Sequence, residues 1–515
     1  MHKEGNDHDM QGYQGCSRIL SIGRFSVLQR CRLSRIRAMA SARQKSRTGE
    51  VIMNIFYHPE NGRMGDIIPF YDEGMFHLYY LGRGWKRIDT RDQLHFSAPL
   101  ETGIRGGTGS VIRAGEMYHL FYCTFASEPE SRQFVCHAVS RDMEKWETLP
   151  EDTFQPDDRI YEMTDWRDPH VVWNEQEGCW WMLIAARAKE PTGRNGCVGL
   201  CKSKDLHHWT LCPPLYAPHT HPSAHECPDL FHWGDWWYLV YSVYTDRFQT
   251  LYRMARSPEG PWITPPVDTF DTRCFYAAKH GTDGTSHFLY GWNPDRAENI
   301  WSFNPQKDYG KDYNTWDWGG TMIVHQLTQN PDGTLGVQPP SAVDHAFSRE
   351  LPVEMHPLSE GWQVRDHRAS IRSPAGYACL LMNPVPASCR LEMDVSFDET
   401  PREFGIALQV EKDFTQGYYL LFEPRRHRIQ YKTGLRMYED GGKMFPYEVE
   451  MERPFEWRPN RTTHIRVFVQ DTILLLYGDN QVALGTRMFN RKGARLGLFV
   501  SDGSAAFDHI RLFTE

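Results

Sequence analysis

Met75-Phe76-His77-Leu78-Tyr79-Tyr80 is a short aromatic strand set behind the polar turn Asp72-Glu73-Gly74, and the same pattern returns along the chain. The further copies are Met117–Tyr122, Trp180–Ile184, Trp236–Tyr241 and Ser286–Trp292, each behind a turn that carries Gly or Asp. Such turns supply the left-handed backbone that tight hairpins need. Downstream of most copies comes a Ser/Thr-x-Asp/Glu turn closed by a ring: Thr90-Arg91-Asp92 to Phe96, Ser140-Arg141-Asp142 to Trp146, Ser203-Lys204-Asp205 to Trp209, and Ser257-Pro258-Glu259 to Trp262. The acid in that turn can bond backbone amides while the ring packs between sheets, which makes it a structural residue and not a catalyst. Five units of about fifty residues, with strand patterning and no helical period, predict an all-β fold in which residues 53–340 form a five-bladed β-propeller.

Outward from the repeat the pattern changes in both directions. Residues 341–357 read as a linker. Residues 358–515 read as a β-sandwich built from alternating strands such as Arg390–Phe397, Phe404–Val410, Ile473–Tyr477 and Ala506–Phe513. Residues 1–52 differ in kind: Met10–Gly49 holds nine Lys or Arg and no Asp or Glu, and its apolar run Ile19–Leu28 is broken by Arg24. That run is too short and too broken for a secretory core. An Arg- and Ser-rich, acid-poor start also fits an organelle transit peptide, but the preferred reading is a disordered basic extension ahead of a domain opening at Met53, in a cytoplasmic protein. Twelve cysteines show no zinc-type spacing, and several lie in apolar strands (Cys123, Cys179, Cys379), as buried thiols of a reducing compartment do. The net charge of −9 gives no support to a nucleic-acid partner, and no window approaches the ~18 apolar residues of a membrane span. No cofactor is implied. His219, His221 and His225 lie close together but lack a partner set of ligands, so no metal site is expected.

In a propeller the first strand of each blade lines the central channel. Asp66, Ser110, Asp168, Glu226 and Tyr276 stand just ahead of the aromatic strands, at intervals of 44, 58, 58 and 50 residues. Three acids from three blades are therefore expected to converge on one axis beside Arg167. Glycoside cleavage uses such a set: one carboxylate attacks the anomeric carbon, and a second, held protonated, gives its proton to the leaving oxygen. Crowding acids in a partly dry funnel raises the pKa of at least one of them. Each acid alone also fits a turn or an ion pair. Their shared position in the repeat is what singles them out.

Three ordered boxes carry a family resemblance. Tyr57-His58 with Gly62-Arg63-Met64-Gly65-Asp66, then Trp166-Arg167-Asp168-Pro169, then Glu226-Cys227-Pro228-Asp229-Leu230-Phe231 resemble glycoside hydrolase family 32, the invertases, levanases and inulinases. Trp85 to Phe96, Thr108-Gly109-Ser110, Trp318-Gly319-Gly320 to Pro339 and Asp479-Asn480 to Arg487 extend the likeness over residues 54–515. The resemblance implies a carbohydrate partner and a retaining hydrolase of β-fructofuranosides (sucrose, fructo-oligosaccharides, levan or inulin) that works through a covalent fructosyl-enzyme. It implies Asp66 as nucleophile, Glu226 as acid/base, and Asp168 as acceptor for ring hydroxyls and stabiliser of an oxocarbenium-like transition state. Arg167 would orient the carboxylates, and Trp85, Ser110, Tyr276 and Leu81 fall at substrate-binding positions. Nucleophile and acid would then stand about 5–5.5 Å apart.

The chain also departs from the family. Arg63, Gly65 and Ile67-Ile68 replace a Trp, an Asn and a Pro-Asn-Gly around the nucleophile, Leu81 replaces a Gln, His225 a Trp and Cys274 an Asp. With all three acids kept, the reaction class stands more firmly than the substrate. Fructosyl transfer, another furanosidase activity and a sugar-binding propeller without catalysis are the alternatives. Arg63 and Arg83 suit an anionic group on the substrate, or are simply solvated. Trp85, Trp166 and Trp292 suit either a stacking wall for a sugar face or packing between blades.

Overall fold

The aromatic runs are the second strands of five successive antiparallel sheets: Met75–Leu81, Met117–Ala126, Cys179–Ala188, Trp236–Val243 and His287–Pro294. These sheets are seen in a computed structural model that describes residues 52–126, 132–295, 318–433, 450–489 and 493–515; nearly all of the expected extension, residues 1–52, lies outside them. A second strand has a neighbouring blade on each face, so it is apolar almost throughout and does not alternate; every residue of His287–Pro294 is buried. The innermost strands are Gly65–Asp72, Gly109–Ala114, Tyr161–Asn174, Glu226–Trp233 and Tyr276–Thr282. The ring closes where Met64 and Gly320 exchange backbone hydrogen bonds at 2.9 and 3.1 Å and Met322 N–H donates to the Tyr57 carbonyl at 2.9 Å.

The Ser/Thr-x-Asp turns are structural, as read. Ser140 Oγ accepts the Met143 N–H, and Asp142 Oδ1 accepts the amides of Glu144 and Lys145, all at 2.9 Å. Ser203 and Asp205 repeat the pattern, and in both copies the tryptophan indole donates back to the carbonyl of the turn's left-handed residue, Met143 or Leu206. The ten described cysteines are free thiols, nine of them buried. No helix among the described residues is long and apolar enough to cross a membrane.

Residues 341–357 are not a linker. They form a helix, Ser341–Ala346, and the short strands Arg349–Leu351 and Met355–Pro357, which pair with the long strands of the C-terminal sheet. Six residues carry too little period for this helix to show in the sequence. That sheet folds into a sandwich through one strand, Arg495–Thr514. Its first half pairs with Glu403–Val410 and its second with Ser388–Ser396, so it passes from one layer to the other. Phe404, Ile406, Leu420, Leu474 and Phe507 fill the space between the layers.

The outer face of one layer, with Phe468, Ile473, Leu475 and Tyr477, packs on Tyr252, Phe270, Leu289 and Ile323 of the last two blades. A polar clasp sits inside this apolar joint. The fully buried Asp271 carboxylate accepts the Gly485 and Thr272 amides at 2.5 and 2.7 Å and meets His325 Nε2 at 3.0 Å, while His325 Nδ1 meets the Tyr477 hydroxyl at 2.8 Å. Removing the carboxylate strands several buried donors at once. Asp271→Ala is therefore expected to destabilise the protein by on the order of 3 kcal/mol. An unchanged midpoint in chemical denaturation would show that the joint does not need the clasp.

Candidate active site

The innermost strands of blades one, three, four and five share one irregularity. Gly65, Arg167, Glu226 and Tyr276 pair with Leu81, Ala185, Ser242 and Trp292; the register then slips before Ile68, His170, Asp229 and Lys279 pair. The residue after each first partner, Asp66, Asp168, Cys227 or Ala277, has a φ of 41°, 58°, 48° or 53°. Such a bulge adds a residue and re-aims the side chains beside it. Asp tolerates the left-handed region, whereas Ala or Cys there costs ~1–2 kcal/mol. Asp66 and Asp168 thus come from the bulge itself, and Arg167, Glu226 and Tyr276 from the position before it.

In the second blade the regular ladder starts only at Gly109, which pairs with Tyr122, with Ser110 opposite Phe121, while the Gly107 N–H reaches the Cys123 carbonyl at 2.7 Å. Ser110 is therefore level with Ile68, His170 and Asp229, one layer away from the acids, which corrects the spacing argument that set it beside them. Its buried hydroxyl accepts the Val171 N–H at 3.0 Å.

Two donors of the fifth blade hold two acids. Trp292 donates its indole N–H to Asp66 Oδ1 at 3.0 Å, and Tyr276 donates its hydroxyl to Glu226 Oε2 at 2.5 Å. These rings belong to directly opposed residues, and Phe248 stacks on Tyr276 at 4.0 Å. Asp168 Oδ2 accepts the Cys227 N–H at 3.0 Å. Arg167 meets Glu226 Oε1 at 3.0 Å and Asp168 Oδ2 at 4.0 Å, and is held by Asp165 at 2.5 Å and Gln133 at 3.3 Å. Gln133, Asp165 and Phe248 carry no sequence signal that marks them. Trp292 stands out in the sequence only as a ring for stacking or blade packing; its place as a donor to Asp66 follows from its pairing with Tyr276.

Burial and the neighbouring Asp168 charge push Asp66 from its ordinary 3.8 up to about 8. Burial also raises Glu226, against the pull of Arg167 and with Asp168 adding to the rise. Burial disfavours the Arg167 charge, but Glu226, Asp168 and Asp165 outweigh it and hold the guanidinium firmly protonated. Asp66 and Glu226 are both raised and act on each other, so the pair keeps a proton near neutral pH.

Other residues singled out in the sequence lie apart from this cluster. Trp85 is fully buried with its indole N–H on the Gly107 carbonyl at 2.9 Å, Trp166 is fully buried, and Leu81 is buried between Gly65 and Trp85 in the ladder. None of the three presents a face to a ligand in this state. Arg63 pairs with Asp295 at 3.2 Å and is no free anion receptor, whereas Arg83 is exposed. His225, stacked on Tyr241 at 4.4 Å, and Cys274 are fully buried. One departure has a direct structural counterpart. A Cβ on Gly65 would lie 2.4 Å from the Trp318 ring, which is 38 % exposed and 6.1 Å from Trp292. The small residue beside Asp66 is thus the seat of an indole.

Residues 57–339 match the Glycosyl hydrolases family 32 N-terminal domain. Among curated proteins, the chain is 23 % identical over 188 residues to beta-fructofuranosidase, insoluble isoenzyme 1, of Daucus carota, covering 32 % of this chain and 31 % of that protein. It is 27 % identical over 190 residues to sucrose-6-phosphate hydrolase of Escherichia coli, covering 32 % and 38 %. The chain thus spans about a third of the length of these relatives. Its fold is that of the exo-inulinase of Aspergillus awamori, with a TM-score of 0.66 at 15 % identity over 91 % of this chain and 98 % of the other.

The raised carboxyls have a consequence for stability. Between pH ~4 and 8 the folded protein keeps a proton on Asp66 that the unfolded chain has released, so stability falls as pH rises through that window. Glu226 contributes in the same sense. The melting temperature is expected to drop from pH 5 to pH 8, and to drop less in Asp66→Asn, which has no charge to bury. Thermal scans across that range test this, and equal slopes for the two proteins would contradict it.

Proposed function

Because the chain belongs to the glycosyl hydrolases family 32, we propose that it is a retaining hydrolase of β-fructofuranosidic bonds. The observation that carries this reading is the meeting of Asp66, Asp168 and Glu226, from three blades, in one buried cluster in which Arg167 pairs with Glu226 and Asp168. Asp66 attacks the anomeric carbon as the glycosidic bond breaks, and Glu226 gives its proton to the departing oxygen. A fructosyl ester on Asp66 and a free alcohol result. Water then yields a proton to Glu226 and attacks the same carbon, which releases fructose and restores both groups. Asp168 receives ring hydroxyls and steadies the positive charge that develops on the ring. The exposed indole face of Trp318 beside Asp66 supports a stacking role against the sugar.

This scheme needs one proton in the cluster. A proton on Asp66 in the empty site and a proton on Glu226 at the moment of attack are two arrangements of the same overall charge, so the pH dependence follows the cluster. The rate is expected to fall as pH rises through about 8, where the last proton leaves.

Incubation with sucrose, inulin, levan and short fructo-oligosaccharides, with the first-formed anomer read by NMR, tests the scheme. Fructose released with its β configuration retained is the expected result, and an inverted product would exclude the covalent step. Longer oligosaccharides in place of free fructose would point to transfer onto a sugar hydroxyl. Asp66→Asn should lower the rate by at least ~10³-fold, the scale of losing a nucleophile.

A further inference from the structure

His137, Asp152 and His207 bring three metal-ligating atoms within 4.8 Å of one another where the second blade meets the third. His137 lies on strand Arg132–Ser140 and Asp152 on Glu147–Phe154, both of blade two, while His207 sits in the turn that follows Gly196–Ser203 of blade three. Both imidazole Nδ1 atoms stand 2.7 Å from the same oxygen, Asp152 Oδ2. The chain offers a contrast at Asp394, where His464 and His509 take opposite oxygens at 2.8 Å and their rings are 46 % and 79 % exposed. At Asp394 the donors diverge; at Asp152 they converge.

The surroundings of His137 are also built. Its ring is stacked on Phe121 at 4.2 Å, and its Nε2 lies 2.9 Å from Nδ1 of His119, with both histidines buried. A metal-bound imidazole holds its orientation by donating its other N–H to a fixed acceptor. With the proton on Nε2, His137 would present Nδ1 to an ion and donate to His119. His207 is 42 % exposed, which leaves a route in, yet its backbone is pinned by the Ser203 and Asp205 bonds of its turn.

We propose that His137, Asp152 and His207 form a binding site for a divalent transition ion such as zinc, which staples the second blade to the third. Two imidazoles and one carboxylate favour zinc, nickel or copper over magnesium or calcium, which prefer all-oxygen shells. Water completes the shell. Binding leaves each imidazole with its proton on Nε2 and its Nδ1 on the ion, which replaces the two contacts now made to Asp152.

The test uses the full chain, stripped with chelator and titrated with zinc chloride, with magnesium chloride as the control. Binding is read by calorimetry and elemental analysis, and melting temperature by thermal scan. One equivalent of zinc should bind, with a rise of a few degrees at about 100-fold excess over the dissociation constant, and magnesium should give none. His207→Ala, a change at an exposed turn, should fold normally and bind zinc at least ~10-fold more weakly, while His464→Ala binds like the wild type. No stoichiometric zinc in the wild-type protein, or an unchanged affinity in His207→Ala, would overturn the proposal.

Discussion

One guanidinium serves Glu226, Asp168 and Asp165 at a buried axis, and burial with so little positive charge governs the site. Arg167 spends part of its hydrogen-bonding capacity on Asp165, which Arg187 also holds at 2.5 Å; these two arginines outweigh burial and keep the Asp165 carboxyl below its ordinary range. Lys279 lies in the next layer, buried, with its ammonium on the Pro228 carbonyl at 3.0 Å, and it offsets only part of the rise at Asp66. A second cation beside Asp66 or Glu226 would work against the rise that lets them hold a proton. Full charge balance would suit stability better than it suits acid catalysis: burial raises Asp66 and Glu226, and the deficit of positive charge leaves that rise uncompensated.

The geometry that gathers these groups is a backbone device before it is a side-chain one. A bulge recurs at one level in four of the five inner strands, and each blade uses it differently: an acid on the left-handed residue in blades one and three, an acid just before it in blade four, a donor just before it in blade five. Cys227 and Ala277 gain nothing themselves from a left-handed backbone. The strain they hold is the cost of setting Glu226 and Tyr276 at the right height, and the Cys227 amide turned by the bulge reaches Asp168.

This explains what was legible in the sequence. The aromatic second strands and their hairpin turns repeat as patterns of residue type, so blade number and strand order could be read directly, and with them the level of Asp66, Asp168 and Glu226. Bulges leave no such trace, because they depend on how a strand pairs. Counting residues therefore set Ser110 one layer away from where pairing puts it, and Trp85, which matches a family position, proves to be sealed between strands. His137, Asp152 and His207 could not be found at all: they are separated along the chain and meet only because two blades abut. The erosion around Asp66 was visible as missing side chains. That an indole from residue 318 occupies the space was not, since the partner lies at the far end of the ring.

The C-terminal sandwich enters this picture through the fifth blade. Arg487, buried in the joint, donates to the Asn293 side chain at 3.0 Å, to the Pro294 carbonyl at 2.6 Å and to the Thr321 hydroxyl at 2.7 Å. Asn293 directly follows Trp292, the donor to Asp66, and Thr321 adjoins Gly320, which closes the ring against Met64 two residues before Asp66. A guanidinium taken out of water pulls hard on the few oxygens that compensate it. Here those oxygens flank the strand that fixes Asp66 from one side and the seam that fixes it from the other. The sandwich is thus more than a cover for an apolar face: its polar contacts end one residue from the indole that orients the proposed nucleophile.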